Sequence, residues 1–137
     1  VDIMNENVLA CRERLFVIWD EEYTAHCKGD ASDEAREAAR FIIGRHIVNG
    51  NALTLMCVDD EGNDTSAPIV FSEWSLISAT QMQRSDYTMS DLLTYNDNSV
   101  EDGMGNLFAL TEEEKEEGGV FLRRYITHYK KVQEYGE

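Results

Sequence analysis

Asn51-Ala52-Leu53-Thr54-Leu55-Met56-Cys57-Val58-Asp59-Asp60-Glu61-Gly62-Asn63-Asp64 is the stretch in which the hydrophobic period of the chain changes. Leu53, Leu55 and Cys57 alternate with Thr54 and Met56, the two-residue period of a half-buried strand over 52–58. Residues 59–64 are Asp, Glu, Gly and Asn, side chains that suit a turn. Ala67-Pro68-Ile69-Val70-Phe71 can return as the antiparallel partner. Pro68 lacks an amide hydrogen and belongs at the start or on an edge of that strand.

Upstream of residue 51 the pattern is helical. Val8, Cys11, Leu15, Ile18 and Trp19 keep helical spacing over 6–27, and Tyr23 extends the stripe. Asn5 is a candidate N-cap and Lys28-Gly29 a stop signal. The unbroken apolar run Leu15-Phe16-Val17-Ile18-Trp19 leaves a short strand there as the alternative. A second helix is expected from Ser32, with Asp33 and Glu34 in its first turn, to Asn49-Gly50. Ala35, Ala38 and Ala39 allow close approach of the first helix, so the two should pack as a helical hairpin.

Downstream, residues 72–84 fit either a continued strand or a helix capped by Ser72. Ser90 is positioned to cap a short helix, Asp91 to Tyr95, ahead of a loop from Asn96 to Gly105 and a third strand, 106–110. Thr111-Glu112-Glu113-Glu114 has the capping-box spacing, with carboxylates at the positive end of a helix. Gly118-Gly119 should break that helix. Residues 120–134 read as an amphipathic helix: Phe121, Leu122, Tyr125, Ile126, Tyr129 and Val132 inward, Arg123, Arg124, Lys130 and Lys131 outward. The expected fold is α+β: an N-terminal helical pair, a small, mostly antiparallel sheet of about three strands, and a C-terminal amphipathic helix. Its 137 residues suit one domain, with Val1-Asp2-Ile3 ahead of Met4 readable as a cloning remnant.

Charge sets the functional expectations. The chain has 27 acids against 12 Lys and Arg, a net charge of −15. Between Asn51 and Leu110 there are ten acids and a single cation, Arg84. Phosphate binding needs Lys and Arg, so direct contact with nucleic acid is disfavoured, as is docking on anionic membranes. Basic proteins are the complementary partners. The three cysteines, Cys11, Cys27 and Cys57, have no CxxC spacing and read as free thiols in a reducing compartment, which points to the cytoplasm. No apolar run is long enough to span a bilayer.

Motifs for chemistry are sparse. Counted from Asp59 as an EF-hand loop, Gly62 falls at the fourth position and Val70 at the twelfth, so the calcium pattern fails. A count from Asn98 puts Val100 at a ligand position. Zinc spacings, a Walker A loop, G-x-G-x-x-G and G-x-S-x-G are absent. No metal or cofactor is expected, and no enzyme activity.

These observations point to an acidic binding protein that occupies the basic, nucleic-acid-binding surface of a partner. Duplex DNA carries about one charge per 1.7 Å of axis, and rows of carboxylates can imitate it. Inhibitors of nucleases, restriction enzymes or CRISPR effectors from phages and mobile elements work this way, as do some immunity proteins; the likeness is of chemistry, not of motif. The candidate contact residues are Asp59, Asp60, Glu61, Asp64, Asp97, Glu101 and Asp102. They share one rim if strand 106–110 pairs with strand 52–58. The competing account is turn chemistry in an acidic, soluble protein. Two further functions compete: an interaction module built on Trp74, Tyr87, Tyr95 and Met104, and a small enzyme or calcium protein in which Glu73, His26 and His46 converge. The chain should be a monomer, or a homodimer in which basic residues of the C-terminal segment meet the acidic loops of a second copy.

Overall fold

A computed structural model describes residues 1–100 and 122–135, with 95–100 described by their backbone only. The fold is α+β. Helix α1, Asn5–Cys27, and helix α2, Asp33–His46, form the expected pair, joined by a single 3-10 turn, Lys28–Asp30. Ser32 caps α2 as its sequence suggested, its Oγ accepting the Ala35 N–H at 3.3 Å. Ala35, Ala38 and Ala39 are buried and let α1 approach with Val8 and Phe16. Arg36 pairs with Asp20 and Arg40 with Glu13 along the seam, and Arg12 donates to the Gly44 and Ile47 carbonyls at the C-terminus of α2. The helices are therefore antiparallel.

Two three-stranded antiparallel sheets follow. The first has the order β1-β2-β3, from Gly50–Asn51, Met56–Val58 and Asp64–Pro68. The expected strand 52–58 begins only at Met56, because residues 52–55 are a turn. Leu55 takes a positive φ of 64°, its N–H donates to Asn51 at 2.8 Å, and Leu53 is 94% exposed. Asn51 pairs with Met56 and Gly50 with Cys57, so the alternating leucines form the tip of a tight hairpin.

The second sheet has the order β4-β5-β6, from Val70–Leu76, Gln81–Thr88 and Arg123–His128. Residues 72–84 are thus strand on both sides of a turn. Helix α3, Met89–Val100, follows β5. Thr88, not Ser90, caps it: Thr88 Oγ1 accepts the Asp91 N–H at 3.0 Å. The expected loop from Asn96 is helical as far as Val100. The third strand at 106–110 and the Thr111 capping box lie outside the described residues.

The C-terminal amphipathic helix is a correction. Residues 123–128, expected to be helical, are strand β6, and the helical part is a six-residue 3-10 segment, Tyr129–Glu134. The apolar spacing fitted a helix. Tyr125-Ile126-Thr127 is also β-branched and aromatic, and pairing with β5 satisfies its backbone. The 3-10 segment packs on α2 and buries Val132. Ile69, fully buried, links the sheets: its N–H donates to Leu55 and its carbonyl accepts from Met89. The N-terminal residues also join the fold, with Asp2 N–H donating to Val48 and Asp2 C=O accepting from Gly50.

Candidate functional site

The sequence singled out the acids after β2, and four of them share one tip. Asp59, Asp60 and Glu61 lie in the turn between β2 and β3, and Asp64 opens β3 opposite Val58. All four are exposed. Asp59 builds the turn: its carboxylate accepts the N–H groups of Asn63 at 2.9 Å and Glu61 at 3.0 Å. Those donors, Asn63 foremost, hold its carboxyl below the ordinary aspartate value. Gly62 completes the reversal at φ 82°. Asp64 accepts from the Asn51 side-chain amide at 3.0 Å. Among the described residues these four carboxylates form no ion pair.

The remaining candidates are placed differently. Asp97 lies in α3, and Glu101 and Asp102 lie outside the described residues. A shared rim required strand 106–110 to pair with β2. Met56 and Cys57 of β2 already have β1 on one side and β3 on the other.

The strongest electrostatic feature was not legible as a site. Asp86 on β5 is 0% exposed and three guanidiniums surround it. Strand register assembles it. Asp86 stands between Ser72 and Arg123 across the sheet, and in the next row on the same face Arg84 stands between Trp74 and Tyr125. Helix α2 lays Phe41 and Arg45, one turn apart, over these rows. Arg84 Nε and Nη2 grip the carboxylate bidentately at 2.8 and 2.7 Å, and Ser72 Oγ donates to it at 2.6 Å. Arg45 Nη2 lies 3.3 Å away and Arg123 Nη2 3.5 Å. The rings of Phe41, Trp74 and Tyr125 lie within 6 Å of the Arg84 guanidinium.

Burial pushes the Asp86 carboxyl up, but the Arg84 and Ser72 hydrogen bonds and the charges of Arg45 and Arg84 outweigh it and hold it below the ordinary value. Burial lowers the Arg45 guanidinium, Asp86 opposes that, and Arg84 and Arg123 add to it. With two layers of structure tied to one carboxylate, the cluster is a structural lock. Arg123, expected to face outward in a basic stripe, instead points to Asp86. Lys130 lies over the Tyr129 ring and Lys131 reaches Glu134, so the expected stripe is dispersed.

The residues proposed for catalysis do not converge. His26 bonds back to Glu22 near the end of α1. His46 ends α2 at the other end of the antiparallel pair, about 20 Å away for a helix of this length. It accepts the Trp74 indole N–H at 2.9 Å, and burial followed by Arg45 lowers its pKa. Glu73 accepts from the Tyr87 hydroxyl at 3.0 Å, and Tyr87, buried beside that carboxylate, is pushed up to about 12. Among the described residues no three His, Cys, Asp or Glu side chains gather in a metal-binding group. Trp74 is half-buried, meets Phe41 edge-on and has its indole N–H bound to His46.

An apolar cleft of about 230 Å³ opens where the alanines of α2 leave space beneath Trp19, Tyr23, Met82 and Tyr129. Its lining offers little to orient a polar substrate. No described helix is long and apolar enough to cross a membrane. No family model matches the chain, and neither a curated protein nor a solved structure is significantly similar to it.

Proposed function

We propose that the chain is an acidic binding protein whose β2–β3 tip docks on a basic, nucleic-acid-binding surface of a partner protein. The observation that carries this reading is the unequal disposal of charge. Arg36 and Arg40 are engaged along the helix pair, and Arg45, Arg84 and Arg123 converge on Asp86. Among the described residues the exposed acids at 59, 60, 61 and 64 have no cation paired with them, so their field extends into solvent. A turn built by Asp59 holds them without lysines or arginines, which preorganises the tip for a cationic surface.

The test is retention of basic proteins from a lysate on immobilised full-length chain at low salt, against an Asp60→Asn/Glu61→Gln/Asp64→Asn variant. Asp59 is kept because it builds the turn. The expected result is a partner held by the wild type, released by salt and by duplex DNA, and lost from the variant. A partner held equally by the variant, or unaffected by salt, would overturn the reading.

A further inference from the structure

We infer that the outer face of α1 is a self-association surface, on which a second copy of this chain packs its own α1 antiparallel about a twofold axis passing between Val17 and Ile18. Helix α1 has 23 residues, about 35 Å, and packs against α2 through the side that buries Val8 and Phe16. On the far side Ala10, Arg14, Val17, Ile18, Glu21 and Ala25 are all exposed, Ile18 at 61% and Val17 at 44%. No other described helix leaves so many large apolar side chains in water.

Charge selects the occupant. Of the charged residues in the middle of α1, Glu13 is paired with Arg40 and Asp20 with Arg36, Glu22 lies 3.6 Å from the His26 ring, and Arg12 is held by carbonyls of α2. Arg14 and Glu21 are exposed and have no ion pair among the described residues. They lie seven residues apart on that face, about 10 Å along the axis, too far to meet within one helix. They are also equidistant from the midpoint between Val17 and Ile18. A twofold axis there sets Arg14 of each copy against Glu21 of the other, twice by symmetry. The same operation sets Val17 against Ile18 of the second copy and Ala10 against Ala25, where small side chains let the two helices approach. The far side holds one cation and one anion, Arg14 and Glu21, in a chain of −15, so it is self-complementary. It is independent of the acidic tip.

Sedimentation or light scattering of the full chain across a dilution series at physiological salt tests this. The expected mass is twice the 15.6 kDa of one chain. Arg14→Glu or Glu21→Arg alone should raise the dimer Kd by about tenfold or more, since each replaces two attractions by two repulsions. The double reversal should return it to within about threefold of wild type. Ile18→Glu should give a monomer. Circular dichroism checks that α1 persists, and Arg14→Gln and Glu21→Gln serve in place of any reversal that loses helix. A monomer at every concentration overturns the inference, as does a dimer indifferent to Arg14→Glu or one that the double reversal fails to restore.

Discussion

Asp86 and Asp60 come from the same acidic stretch and meet opposite surroundings. Asp86 is fully buried with three guanidiniums and a serine hydroxyl around its carboxylate. Asp60 sits exposed at a turn with no cation beside it among the described residues. A count of acids treats the two alike. Their physics differs: a carboxylate closed in by arginines projects little field and holds structure together, whereas exposed, unpaired carboxylates contribute little to stability and much to long-range attraction. The seven acids of the middle segment whose side chains are described divide accordingly. Asp91 meets Thr88 at the start of α3, Glu73 meets Tyr87, Asp86 is locked, and the tip alone gathers four exposed acids among the described residues.

That contrast is most sharply broken at its buried end. Asp86→Asn leaves three guanidiniums facing an uncharged amide, and removal of one member of a buried ionic cluster costs about 3–5 kcal/mol. Denaturant unfolding of this variant should show a loss of that size, and a loss under about 1 kcal/mol would mean that solvent already screens the cluster. The pH dependence has the same origin. Because the folded Asp86 carboxyl lies below its unfolded value, its stabilisation is complete above the unfolded value, near pH 4, and is lost as pH falls through the folded one. Acid unfolding of the wild type should include this component, and that of Asp86→Asn should lack it.

The seam between the two sheets comes next. A Cβ on Gly50 would lie 2.6 Å from Ile69 Cδ1 and 3.1 Å from the Met56 carbonyl oxygen. Ile69 is fully buried, so it has little room to give, and Gly50→Ala should cost about 1–3 kcal/mol. A midpoint equal to wild type would show that Ile69 repacks. At the exposed end the effect is smaller again. Asp59→Ala removes the acceptor for two turn N–H groups and should lower the midpoint less than Gly50→Ala does, while amide exchange at Glu61 and Asn63 speeds up.

Local signals in the sequence identified the helical pair, the cap at Ser32, the turn at 59–64 and the free thiols. The Ser32 cap and the 59–64 turn are decided by a few neighbouring residues, whereas α3 is capped by Thr88 rather than Ser90 and α1 starts from Met4 without an Asn5 cap. Elements decided by pairing across the chain were misread. Leu53 and Leu55 alternate as in a strand, yet pairing of Gly50-Asn51 with Met56-Cys57 leaves them in the intervening turn. Arg123 to His128 matched a helical stripe until β5 offered an edge. The Asp86 cluster joins α2, β4, β5 and β6, so no local motif announces it. One signal was present: Arg84 is the single cation among ten acids, and it stands two residues from Asp86. On a strand that spacing puts both side chains on one face, where a bidentate grip is possible.

The most direct measurement pairs stability with retention for Asp60→Asn/Glu61→Gln/Asp64→Asn against wild type. The account predicts an unchanged denaturation midpoint together with loss of the basic partner that salt and duplex DNA release from the wild type. A variant that unfolds more easily, or one that keeps the partner, would contradict it.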